Sequence, residues 1–397
     1  MNYLKKAVAV LSTAAICAVS TLMPAAAAVR GDINGDGKIN VYDVILCRRA
    51  VVNTFTRAYV DPNTDIDGNG TTNVNDLVLM MNFVLRRSDS FPEITTASVT
   101  TTSTETAQTT TDTTTVPSGD SYMKKMAADI HLHEDSSVTE KNGGVDYGTI
   151  EKKTYFSKDA QRDKQLNVLL PPGYDPSQKY HVLYVFHGIF GNEDSMLDEN
   201  MKIQTMLGNL VASGEAEKMI VVFPQMFTTS TDLFPGFTNE SSRAYDAIRE
   251  DLENSIMPFM AENYSIKTGR ENTGVTGFSM GGREALYVGV TRPQLYGYVG
   301  SVCAAPGFFP TVDGNMTHEG CMSPSEFGFG SEPSPYVLML TCTRFDGTVG
   351  DAPESYHNAL TSNGAEHIWH ELTDGDHGGI SVRAHMYNFL RYIFKAV

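Results

Sequence analysis

The chain has one tryptophan in 397 residues and only five cysteines. Cys17 falls among the first 28 residues. The remaining Cys47, Cys303, Cys321 and Cys342 match no zinc-ligand spacing, so no thiolate metal site is read. Cys303 and Cys321 are placed to pair across a loop or to stay buried free thiols, and the sequence leaves both open. Basic residues are scarce. The 30 Lys and Arg against 47 Asp and Glu give a formal net charge of −17, which argues against nucleic acid and anionic membrane surfaces as partners. Beyond the N-terminal region no apolar run is long enough to span a bilayer.

What is present falls into four stretches. Residues 1–28 read as a secretory signal: Lys5 and Lys6, an apolar run Ala7–Met23, then small residues from Pro24 to Ala28. An extracellular destination is expected. Residues 88–120 are dominated by threonine, with no apolar periodicity, and read as an extended tether. Between these, residues 29–87 carry a repeated acidic loop. Asp32, Asn34, Asp36, Asn40 and Asp43 offer side-chain oxygens, Lys38 a backbone carbonyl, and Gly37 the sharp turn. The set recurs at Asp65, Asp67, Asn69, Thr71, Asn73 and Asp76. A hard cation such as Ca²⁺ takes several oxygens at this spacing, and the repetition is the strong part of the signal. An amphipathic helix is expected after each loop, over Val41–Val52 and Val74–Arg86.

This pair of loop-helix motifs closely resembles a type I dockerin, a small all-α calcium-binding module. The resemblance implies two structural Ca²⁺ ions and a cohesin module of a scaffoldin as partner. It also implies that the partner is read by Val41, Tyr42, Arg48 and Arg49 in the first repeat, and by Val74, Asn75, Met81 and Asn82 in the second. The two sets differ, which points to one preferred orientation on the partner.

Residues 121–397 alternate apolar runs with helical patterns. The runs are Leu166–Leu170, Val182–Phe186, Met219–Phe223, Thr273–Thr276, Tyr296–Val302, Tyr336–Thr341 and His367–Leu372. Helices are expected near Lys202–Ala212, Ser241–Tyr264, Gly282–Thr291, Glu354–Asn363 and Val382–Phe394. Continuous apolar strands separated by helix-length segments predict an α/β domain with a parallel sheet covered on both faces.

Within it, Gly277-Phe278-Ser279-Met280-Gly281 reads G-x-S-x-G, with a strand before and a helix after. That is a nucleophile elbow, which pushes a serine out of a sharp strand-to-helix turn. His377 lies downstream in a polar glycine-rich loop and is the expected base. Asp346, just past an apolar run, is the expected acid, with Asp351 as competitor; Asp374 and Asp376 sit too close to His377. The turn at His187-Gly188 occupies the place of an oxyanion loop, with the backbone N–H groups of Met280 and Ile189 as donors. His187 itself is expected to shape that loop. Phe227, Phe234, Phe237 and Tyr245 lie in a glycine- and proline-punctuated loop and are candidates for clamping an aromatic acyl group, or for anchoring the loop.

With Leu169-Leu-Pro-Pro-Gly-Tyr-Asp175, His187-Gly188, the elbow and Gly375-Asp-His377, the domain resembles the esterase D-like α/β hydrolases, and carbohydrate esterase family 1 most. The resemblance implies an α/β-hydrolase fold and a serine esterase of plant cell-wall degraders. The substrate would be feruloylated or acetylated xylan, with no cofactor for the chemistry. The chain departs from the family at Gly378-Gly379-Ile380, where members often carry aspartate and tryptophan near the histidine.

Overall fold

The computed structural model describes residues 122–397 apart from 314, 315, 345 and 376. Ahead of these it describes 30–33, 38–40, 43, 44, 46, 47, 50, 62–68, 71–84 and 90–91. The expected signal and nearly all of the tether lie outside the described residues. The chain divides into two compact units, Met1–Thr114 and Thr115–Val397.

In the first unit, Val74–Val84 is helical, with Asp76 in its first turn. Leu77, Met80 and Val84 recur at helical spacing. Met80 is wholly buried with Cys47 and Ile66, and Ile33, Ile39, Val44, Leu77, Leu79 and Phe91 pack partly against this small core. Its apolar face thus joins the two repeats.

The second unit is built on an eight-stranded sheet. Its strands are β1 (Thr149–Ser157), β2 (Arg162–Leu170), β3 (His181–Phe186), β4 (Met219–Pro224), β5 (Thr273–Gly277) and β6 (Tyr298–Val302). Two short strands, β7 (Thr311–Asp313) and β8 (Met316–His318), pair with each other, and β9 (Val337–Thr343) and β10 (Ile368–Leu372) complete the main sheet. The order is β1-β2-β4-β3-β5-β6-β9-β10. From β4 to β10 the neighbours are parallel, as the helix-length separations require. The expectation of a wholly parallel sheet fails at one edge. β1 pairs antiparallel with β2, and β2 antiparallel with β4. Only residues 158–161 join β1 to β2, too short for a crossover, so the pair is a hairpin. β1 escapes detection as an apolar run because it carries Glu151, Lys152 and Lys153, the charges that blunt an edge strand.

Helices cover both faces. The Cβ position of Gly289, in helix Met280–Thr291, lies against Val299 of β6. The next residue of the strand, Gly300, lies against His385, in helix Gly379–Tyr392. Successive strand residues face opposite ways, so the two helices lie on opposite sides. The long helix expected over Ser241–Tyr264 is broken instead. Asn239–Asp246 and Ile248–Asp251 are followed by a wide π-type turn over Leu252–Ile256, and then by Met257–Asn263. Pro258 lacks the N–H that a regular ladder needs there, and the backbone widens just ahead of it.

Under the middle of the sheet His385 is fully buried. Its Nε2 lies 3.0 Å from the Thr276 hydroxyl and its Nδ1 2.8 Å from that of Thr341. Burial, helped by His370, pushes the imidazole down to about 3 from an ordinary 6.5. The unfolded chain therefore takes up a proton at this site below 6.5 that the folded chain refuses until about 3. The stability is present above that window and is lost as pH falls through it. In His385→Gln the urea midpoint should drop less, between neutral pH and a pH inside the window, than it does in the parent. Equal drops would show that His385 does not carry this term.

Candidate functional site

β5 runs into the elbow. Ser279 has φ 57° and ψ −116°, a left-handed backbone that costs a non-glycine residue about 1–3 kcal/mol. A Cβ on Gly277 would lie 2.3 Å from the Gly281 carbonyl oxygen, and one on Gly281 would lie 2.4 Å from that of Phe186. Both glycines are needed for close approach rather than for unusual dihedrals. The neighbouring strands hold the turn. Phe278 N–H donates to Phe186 C=O at 3.1 Å, and Ser279 N–H to Val302 C=O at 2.8 Å. The Ser279 carbonyl accepts from Arg283 and Ala305, each at 3.0 Å.

The hydroxyl, buried in the cavity wall, meets a base. His377 Nε2 lies 3.0 Å from Ser279 Oγ, and His377 Nδ1 lies 2.7 Å from Asp346 Oδ2. With Nδ1–H donated to the carboxylate, Nε2 is left to accept the serine proton. Asp346 sits just beyond β9, and its other oxygen accepts from Thr348 N–H at 2.9 Å and Val349 N–H at 3.3 Å. Burial pushes the Asp346 carboxyl up. The hydrogen bond and charge of His377, with those two N–H donors, outweigh burial and hold it below its ordinary value. The competitor Asp351 instead opens helix Ala352–Ser362. Asp374 pairs with His133 at 2.9 Å, and Asp376 lies outside the described residues.

Met280 is the first residue of its helix, so its N–H has no acceptor within the helix. Met280, Ile189, Ser279 and His377 line one cavity of about 230 Å³. His187 is buried, with Nδ1 bonded to Gly188 C=O at 2.7 Å and Nε2 accepting from Met226 N–H at 3.1 Å. It joins the turn at Gly188 to the segment after β4.

The four aromatic candidates separate. Phe237 lines the cavity. Tyr245 is wholly buried, and its hydroxyl accepts from Phe190 N–H at 3.0 Å, bracing the turn after Gly188. Phe227 packs edge-on against Tyr245, with centroids 5.0 Å apart. Phe234 is 83% exposed and is not part of the cavity wall. The wall also contains His318, Ala305, Pro306, Thr348 and Val349. Thr348 and Val349 follow Asp346 and were within reach of a sequence reading. His318 arrives on the β7–β8 hairpin, whose fold back to the cavity leaves no local sign. The cysteines considered for pairing, Cys303 and Cys321, form no disulfide and are free thiols, as is Cys47.

In the first unit the two loops repeat one device. Asp43 is buried and accepts from Ile33 N–H at 2.9 Å and Asn40 N–H at 2.8 Å. Asp76 is buried and accepts from Ile66 and Asn73 N–H, each at 2.8 Å. Carboxylate oxygens of Asp65, Asp67 and Asp76 lie within 4.8 Å of one another, a hard-oxygen set that fits calcium. Asp32 is buried, Asn40 and Asn73 are half-buried, and Lys38 and Thr71 are exposed. Asn34, Asp36, Asn69, Val41, Tyr42, Arg48 and Arg49 lie outside the described residues. Val74 and Asn75 begin the helix Val74–Val84, but their side chains lie outside the description. Met81 is 44% exposed and Asn82 half-buried.

The putative esterase family model matches residues 157–377, and the type I dockerin model residues 30–85. A CE1 ferulic acid esterase of Anaeromyces mucronatus, solved in complex with ferulic acid, is 41% identical. The match has a TM-score of 0.65 and covers 67% of this chain and 98% of that one. The endo-1,4-beta-xylanase Y of Acetivibrio thermocellus is 32% identical over 279 residues, 68% of this chain and 22% of its own length. The endo-1,4-beta-xylanase/feruloyl esterase of Xylanibacter ruminicola is 28% identical over 161 residues, 39% of this chain and 22% of its own length. The chain thus spans about a fifth of the length of these two curated relatives. Among the described residues no helix is long and apolar enough to cross a membrane.

Replacing Ser279 by alanine should remove turnover of a chromogenic short-chain ester while the thermal midpoint stays put. Asp346→Asn should lower kcat by about 10⁴-fold through the wrong imidazole tautomer, with KM little changed. A loss below tenfold in Asp346→Asn would remove the carboxylate from the relay.

Proposed function

This chain belongs to the esterase family and carries a type I dockerin, and we propose that it hydrolyses feruloyl esters on plant cell-wall xylan. The observation that carries this reading is the linked Ser279–His377–Asp346 set opening into a cavity of about 230 Å³. An acetyl group would leave most of that volume empty. The likeness to an esterase solved with ferulic acid bound supports the aromatic acyl group.

The chemistry follows from the geometry. Ser279 Oγ attacks the ester carbonyl while His377 Nε2 takes its proton. The carbonyl oxygen, now an anion, is held by the N–H groups of Met280 and Ile189. As the tetrahedral centre collapses, the C–O bond to the sugar breaks and His377 gives its proton to that oxygen. Water then enters, giving one proton to His377 and its hydroxide to the acyl carbon. The acid leaves, and Ser279 recovers the proton. Asp346 stays ionised throughout and steadies the imidazolium.

The dockerin binds calcium, and we assign one ion to each loop, two in all. Its partner is a cohesin module of a scaffoldin, met through Val41, Tyr42, Arg48 and Arg49 in preference to Val74, Asn75, Met81 and Asn82. Residues 1–28 serve as the export signal, and residues 88–120 as the tether between anchor and enzyme. The protein works outside the cell as part of a cellulosome.

Two measurements bear on this. Purified protein should release ferulate from methyl ferulate; activity confined to acetylated xylan would move the assignment to an acetylxylan esterase. Chelation with EDTA should abolish cohesin binding and leave methyl ferulate turnover intact, because no loop residue belongs to the relay. Loss of turnover as well would contradict the separation of roles.

A further inference from the structure

Phe190 lies directly after the oxyanion-loop residue Ile189 and has φ 63°. A bulky residue rarely adopts this left-handed backbone, where glycine would sit without strain. Burial does not explain the choice, since Phe190 is 57% exposed. Its ring meets that of Phe237, 67% exposed, edge to face at 5.4 Å between centroids and 83° between planes. Phe237 is also a wall of the catalytic cavity.

Both rings stand on fixed backbone. Phe190 N–H is held by the buried Tyr245 hydroxyl. The segment at Phe237 is held by Gly236 N–H donating to Ser241 Oγ at 2.8 Å, and by Thr238 capping the helix Asn239–Asp246. Two large apolar rings are thus kept in solvent at the cavity edge, one against its backbone preference. Strain kept for a ring whose reported ring contact is with another exposed ring points to a ligand.

We propose that Phe190 and Phe237 form a sugar subsite that holds the neutral pentose rings of the alcohol half of the ester. This rests on the reading of a polysaccharide ester as substrate. The acyl group occupies the cavity behind Phe237, and the alcohol leaves across the rim. The rings offer apolar faces at the exit of the ester site, and a sugar ring offers C–H groups to such a face. Phe190 stands beyond the cavity wall and meets only what emerges from it.

The test is a ratio: kcat/KM on a feruloylated arabinoxylan oligosaccharide divided by kcat/KM on methyl ferulate, which has no sugar. In Phe190→Gly and Phe190→Asn, both tolerant of the left-handed backbone, the ratio should fall by about tenfold. In Phe190→Tyr it should recover. A ratio unchanged in the glycine and asparagine variants overturns the subsite, whatever happens to absolute activity. If the unaltered protein hydrolyses only acetyl esters, the feruloyl assignment fails by itself. The subsite is then read from acetylated xylo-oligosaccharide against p-nitrophenyl acetate, with the same two outcomes.

Discussion

The catalytic end of the sheet depends on a backbone conformation that serine resists. Ser279 reaches it because β3 and β6 grip the turn from both sides. The Phe186 carbonyl takes the Phe278 N–H and also marks the limit of approach for Gly281. The Val302 carbonyl takes the Ser279 N–H, and Ala305 returns a bond to the Ser279 carbonyl. The strands flanking β5 therefore do more than extend the sheet. They supply the fixed points against which the strained residue is pressed, and the loops bearing His377 and Asp346 come to the same edge.

A second linkage runs behind the elbow. Arg283, in the first turn after the nucleophile, is fully buried and paired with Glu284 at 2.6 Å and Asp246 at 2.7 Å. Burial pushes the Glu284 carboxyl well above its ordinary value, against the pull of Arg283. Removing one member of such a buried set typically costs about 3–5 kcal/mol, because the rest lose their partner. Asp246 follows Tyr245, which braces Phe190. The helix after Ser279 and the turn at Phe190 are therefore both held by two adjacent residues of a third element.

How much was legible in the sequence follows the range of the forces involved. The elbow could be read because its geometry is set by five consecutive residues. The Ser–Asp–His order could be read because each member ends or follows a strong apolar strand, and the dockerin because its loop spacing repeats. β1 was missed because an edge strand is written in charges. The break before Pro258 was missed because helical periodicity continues on either side of it. The aromatic loop was only half legible: composition marked Phe227, Phe234, Phe237 and Tyr245 alike. Tertiary packing made one a wall and two supports, and left one in solvent. His318 is the extreme case, since nothing near it in sequence tells that the β7–β8 hairpin folds onto the cavity.

The free thiols have a consequence of their own. Cys303 lies within 4.8 Å of the Asp346 and His377 side-chain atoms, and burial pushes its thiol up to about 12. Cys47, in the dockerin core, is pushed up to about 12 as well, and Cys321 is raised further by the same cause. These sulfurs stay protonated and poor as nucleophiles. No covalent bridge joins the described residues, and their cohesion rests on packing. A reductant therefore has no disulfide to open among the described residues.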